Sequence, residues 1–186
     1  NYEIIKSKYS DNLKRNLRKA EKYNLEITEN IKPEDIINLF RNNRGKEFKH
    51  LKDNDYRRLN RLIYSLLHKG NIKTYGVYNS VNNLCSGAVF LFYKNRAIFI
   101  FSATDNEAKR IFAMPAIIDN FIKTYSDSGL ILDFEGSNDQ NLARFYKSFG
   151  SKETNYYTVT ISRLPFLLRY IFLLKKKIKK LMLSKI

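Results

Sequence analysis

Two neighbouring stretches, Ala88-Val89-Phe90-Leu91-Phe92 and Ile98-Phe99-Ile100-Phe101, are apolar at every position. A strand with one face in water alternates polar and apolar residues, so these runs need cover on both faces, and helices must pack on both sides of a sheet. They belong to three short segments rich in β-branched and aromatic residues, Ile72 to Tyr78, Leu84 to Tyr93 and Ala97 to Ala103. Asn-Ser-Val-Asn-Asn and Lys-Asn-Arg separate them, which predicts an antiparallel meander.

Helical spacing surrounds the meander. Ser10 can cap a helix with Leu13, Leu17 and Ala20 on one face and Lys14, Arg15, Arg18, Lys19 and Lys22 on the others. A short strand, Leu25 to Thr28, precedes a helix opening near Pro33, with Glu34 and Asp35 in its first turn and Ile36, Ile37, Leu39 and Phe40 inward. A third helix runs from about Asp55 to Lys69, is stopped by Gly70 and buries Leu59, Leu62, Ile63, Leu66 and Leu67. After the meander come a helix from Pro115 to Ser126, a stop at Gly129 and a strand from Leu130 to Phe134. A helix from Asp139 to Phe149, stopped by Gly150, and a strand from Asn155 to Ile161 follow. The expected fold class is therefore α/β, with residues 1–162 as one domain and 163–186 as a basic amphipathic helix opened by Pro165.

The formal charge of +16 points to polyanions: nucleic acid, anionic lipid or cofactor phosphates. Eight of the cations, Arg163, Arg169, Lys175, Lys176, Lys177, Lys179, Lys180 and Lys185, follow Ser162, where no acid occurs. That tail could lie on an anionic membrane, dock on a partner domain, or cover the sheet while its lysines are solvated. Cys85, the single cysteine, excludes an internal disulfide and sits in an apolar strand, which fits a buried thiol in a reducing cytoplasm. His50 and His68 lack ligands at metal spacing, so no metal is expected. Leu164 to Leu174 is too short to span a bilayer and is broken by Arg169. The expected location is cytoplasmic, peripheral at the inner membrane face if the tail lies on lipid. A first residue that is Asn raises the expectation of an excised piece with an N-terminal partner domain.

The stretch Asp133-Phe134-Glu135-Gly136-Ser137, followed by Asn141-Leu142-Ala143-Arg144-Phe145-Tyr146-Lys147-Ser148-Phe149-Gly150, resembles the strand-and-helix motif of GNAT N-acyltransferases. Tyr146 and Gly150 keep that family's spacing, while Ser151 replaces its usual Phe. Ser10 to Asn24, with Asn-Leu-Arg-Lys-Ala-Glu-Lys, resembles Fem-type aminoacyltransferases, which pair two GNAT-like domains; this chain looks like the second of a pair. The resemblance implies a mixed, mostly antiparallel sheet covered on both faces. It also implies an acyltransferase that takes an acyl group from acetyl-CoA or another acyl-CoA, or an aminoacyl group from aminoacyl-tRNA, to an amine.

In such a site the strands ending near Thr104 and Phe134 splay apart, and their free backbone groups can pair with the amides of a pantetheine arm. Ser102, Ala103 and Thr104 would line that wedge, while Asn106, Lys109, Arg110 and Asn138 would approach the donor's phosphates. The family's glycine-rich pyrophosphate loop is absent, and Pro115 stands near its place. Tyr146 could protonate the leaving thiolate or be a core tyrosine, with Tyr156 or Tyr157 as substitutes. Glu135 could accept the amine's proton or simply fix the Gly136-Ser137 turn. Ser137 or Asn138 is expected to cap the following helix. The competing class is a GNAT-shaped module without catalysis, holding a polyanion or an anionic membrane.

Overall fold

The computed structural model describes residues 1–135, 139–155, 157, 159 and 170. The chain divides into two units, Asn1–Lys152 and Glu153–Ile186. Among its described residues the first unit holds helices α1 (Tyr2–Ser7), α2 (Asp11–Glu21), α3 (Pro33–Asn42), α4 (Asp53–His68), α5 (Asn106–Arg110), α6 (Ala113–Tyr125) and α7 (Gln140–Lys147). The strands are β1 (Ile27–Glu29), β2 (Ile72–Tyr78), β3 (Leu84–Tyr93), β4 (Arg96–Thr104) and β5 (Ile131–Asp133), adjacent in that order. The first four pair antiparallel and β5 joins β4 in parallel. A parallel join needs a crossover, which α5 and α6 supply.

Both faces of the sheet are covered, as the apolar runs require. On one face Ala88, Phe90 and Phe99 pack with Leu13 and Leu17 of α2 and with Ile117, Ile118 and Phe121 of α6. On the other, Val89 and Ala103 pack with Ile36 and Ile37 of α3 and Ile63 of α4. The rings of Phe90 and Phe121 stack at 3.9 Å, so the crossover helix is seated directly on the central strand. Ser10 caps α2 by accepting from the Leu13 N–H at 3.2 Å, and its own N–H donates to Ser148 O at 2.8 Å. The N-terminal helices are thereby tied to the end of α7.

Three sequence expectations are corrected. Leu62 is 55% exposed rather than buried; at 100° per residue Leu59, Ile63, Leu66 and Leu67 fill an arc of about 100°, and Leu62 lies beyond its edge. The helix expected from Pro115 begins at Ala113, because proline is tolerated among the first-turn positions whose N–H groups have no partner within the helix. A separate turn, α5, precedes it, capped by Asp105, whose Oδ1 accepts from the Ala108 N–H at 2.8 Å. The cap of α7 is Asp139 rather than Ser137 or Asn138. The expected strand from Asn155 to Ile161 and the tail helix fall largely or wholly outside the described residues, as do Ser137 and Asn138 themselves.

Candidate active site

β4 and β5 pair only where Arg96, Ala97 and Ile98 meet Ile131, Leu132 and Asp133. Beyond Ile98, β4 continues for six residues to Thr104, while the chain after β5 turns away through Phe134 and Glu135. The two strands therefore form a wedge, and among the described residues no strand pairs with the β4 edge that faces it. Register breaks inside the same stretch. Val89 opposes Phe101 and Phe90 opposes Phe99, leaving Ile100 as an extra residue of β4. Ile100 and Phe101 consequently both pack on the α3 and α4 side, which is how a bulge re-aims a strand next to a site.

One carboxylate sets the closed end of the wedge. Asp133 accepts from Arg96 Nη1 at 2.9 Å, joining β5 to β4, and from the Glu135 N–H at 2.9 Å, fixing the turn. Glu135 takes φ 62°, a left-handed conformation that costs energy for any residue with a Cβ, and its side chain is exposed. The α7 helix follows. Asp139 Oδ1 accepts from the N–H groups of Asn141 at 2.9 Å and Leu142 at 3.2 Å, and Leu142 is the first cause of the Asp139 carboxyl lying below its ordinary range.

Tyr146, two turns along α7, is half-buried. Its ring stacks on Phe134 at 4.7 Å with planes 15° apart and meets Phe99 of β4 edge-on at 6.2 Å. The fold thus packs this tyrosine against one aromatic residue of β4 and one of the turn after β5, on the sheet face that α2 and α6 cover. Burial pushes its phenol pKa up, and the charge of Arg44 draws it back. Of the proposed substitutes, Tyr157 is exposed and Tyr156 lies outside the described residues.

The other expected residues divide into two groups. Ser102, Ala103 and Thr104 lie on the free part of β4, with Ala103 buried and the Thr104 hydroxyl 3.2 Å from Ser86 Oγ. Asn106, Lys109 and Arg110 are exposed on α5. The turn after β4 does not fit a pyrophosphate cradle. Of the first N–H groups of α6, Pro115 has none and Ala116 donates to Phe112 O at 3.2 Å; Ala113 and Met114 are 0% and 8% exposed. The chain between β4 and α6 is instead wound into helix α5, which carries Glu107 and is capped by Asp105.

Two residues of the site escaped the sequence reading. Arg44, in a 3-10 turn over Arg44–Glu47, reaches Asp139 with Nη2 to Oδ2 at 3.5 Å, across 95 positions of sequence. Nothing local in Asn-Asn-Arg-Gly-Lys marks that arginine, whereas Asp139 directly before a helical stretch was a readable cap signal. Among the described residues no group of three or more His, Cys, Asp or Glu could hold a metal ion. Nor is any helix among them long and apolar enough to cross a membrane.

The chain has a GNAT-like fold, shared with acetyltransferases among solved structures. FemX matches with a TM-score of 0.64 at 12% identity, over 81% of this chain and 56% of its own. An aminoglycoside acetyltransferase from an uncultured soil metagenomic sample, in complex with sisomicin, matches with 0.53 at 18%, over 74% of this chain and 97% of its own. AAC(6')-Iy, in complex with the bisubstrate analog CoA-S-monomethyl-acetylneamine, matches with 0.53 at 10%, over 75% and 99%. The sequence matches no protein-family model and no curated protein.

Proposed function

We propose that the chain is an N-acyltransferase that moves an acyl group from a thioester or ester onto an amine. The observation that carries this reading is the wedge between β4 and β5, with its bulge at Ile100 and Tyr146 stacked against Phe134 at its side. An extended donor arm laid along the free edge of β4 would satisfy the strand's unpaired backbone groups. Backbone N–H groups near the bulge would then meet the oxyanion that forms when the amine attacks the carbonyl carbon. Glu135 takes a proton from the attacking amine, the bond from the carbonyl carbon to the leaving sulfur or oxygen breaks, and the Tyr146 hydroxyl supplies the proton the leaving group needs. Atoms balance without a metal or redox partner.

The donor is an acyl-CoA or an aminoacyl-tRNA. The fold's occurrence with a CoA-containing ligand in AAC(6')-Iy supports the first. The helical turn at α5 favours a donor recognised elsewhere than at a pyrophosphate cradle, and the +16 charge would suit a nucleic-acid carrier. The same helical turn supports a second reading, a binding module without catalysis that holds a polyanion. Thermal-shift measurements with acetyl-CoA, CoA and bulk tRNA, joined to an assay for amide product, separate them. A ligand that binds only the folded state raises apparent stability. Stabilisation by an acyl donor with amide formed supports the transferase; stabilisation by tRNA with no amide from any aminoacyl form supports the module.

A further inference from the structure

We infer that Arg44 is a positioning residue for Tyr146: through Asp139 it ties the loop after α3 to the first turn of the helix that carries the phenol, and so holds the proton donor against the wedge. This rests on the transferase reading for its catalytic meaning but not for its geometry. The Asp139 carboxylate works in two directions. Its Oδ1 accepts the N–H groups of Asn141 and Leu142, fixing the start of α7, while its Oδ2 faces Arg44 Nη2 at 3.5 Å.

The foot of Arg44 is rigid. Gly45 is buried, and a Cβ there would fall 2.9 Å from Phe40 O and 3.0 Å from Tyr56 Oη, so the turn is pressed against α3 and α4. Phe40 in turn lies 6.0 Å from Phe48 and 5.1 Å from Phe101, the residue after the β4 bulge. From that support Arg44 reaches the carboxylate that caps the helix carrying Tyr146. The groups facing Tyr146 from β4, from the turn after β5 and from α7 are the rings of Phe99, Phe134 and Phe145. Burial raises the phenol pKa, and the positive charge of Arg44 opposes that rise. Both members of the Arg44–Asp139 pair are about half exposed, so the pair adds little to stability and can be removed without unfolding the domain.

The test uses the full chain labelled with 13C at tyrosine Cζ, the Tyr146 resonance being identified by its loss in Tyr146→Phe. In Arg44→Ala the Tyr146 titration midpoint should move to higher pH, and kcat for amide formation should fall about tenfold with KM little changed. Arg44→Lys, which keeps the charge, should return the midpoint toward that of the parent. Arg41→Ala, which removes a neighbouring arginine paired with Asp53, should leave the midpoint in place. Arg44→Gln is read instead if the alanine variant does not fold. An unmoved midpoint in the Arg44 variant, or an equal movement in Arg41→Ala, overturns the inference. The midpoint is read without substrate. A shifted midpoint beside unchanged turnover in both Arg44→Ala and Tyr146→Phe would therefore uphold the placement of Arg44 and remove Tyr146 from the acid role, whereas a shifted midpoint in a chain that forms no amide at all would uphold the placement and overturn the transferase reading.

Discussion

Tyr146 lies flat on Phe134, ring centroids 4.7 Å apart and planes 15° from parallel, so the first residue after β5 and the second turn of α7 share one packed surface. The hydroxyl is the only part of this contact that packing does not require. Tyr146→Phe should therefore keep the unfolding midpoint and lower kcat by about 100-fold, the lower end of what a positioned proton donor contributes. Steady-state kinetics with a thermal melt decide it; unchanged turnover removes Tyr146 from the acid role.

Glu135 combines an exposed carboxylate with φ 62°. Glu135→Gly should raise stability by about 1 kcal/mol, because glycine adopts that conformation without a Cβ clash. Glu135→Gln keeps the strain and removes only the charge. If the carboxylate takes the amine's proton, both variants lose turnover, and the loss shrinks at high pH where the amine is already neutral. A more stable, fully active glycine variant would assign Glu135 to the turn alone.

Gly150 sits at φ 74°, and a Cβ there would meet Lys8 Cβ at 2.8 Å and Lys8 O at 3.0 Å. Gly150→Ala should destabilise by about 1–3 kcal/mol through backbone strain and overpacking combined. Urea unfolding measures it. The glycine of the Tyr-to-Gly spacing thus has a structural reason of its own, the approach of the segment between α1 and α2.

Alkaline stability should show the buried phenols. Tyr2, Tyr9, Tyr75 and Tyr146 all lie above the ordinary value of 10.0, burial being the first cause, with the Asp119 carboxylate adding to Tyr2 and Tyr9. Above pH 10 the unfolded chain releases these protons while the folded chain keeps them, so unfolding becomes easier as pH rises. Below that value their contribution is fully present and constant. The urea midpoint should fall from about pH 10 upward, and Tyr2→Phe combined with Tyr9→Phe should flatten the fall.

Much of the architecture was legible because it is local or periodic. The apolar runs at Ala88–Phe92 and Ile98–Phe101 demanded a sheet covered on both faces, Leu13, Leu17 and Ala20 marked the buried side of α2, and Ser10 marked its start. The motif around Tyr146 and Gly150 carries the GNAT resemblance in the sequence itself. What lay beyond reading is set by partners distant in sequence. Whether Leu62 faces in or out depends on how wide a stripe α3 and the sheet can cover. The bulge at Ile100 exists only relative to β3. The union of Arg44 with Asp139 joins positions 95 apart, through a surface ion pair too weak to leave any periodic mark on the sequence. Sequence determines which residues must be buried and where helices begin; only the tertiary structure decides which exposed charges meet, because that depends on the path of the backbone between them.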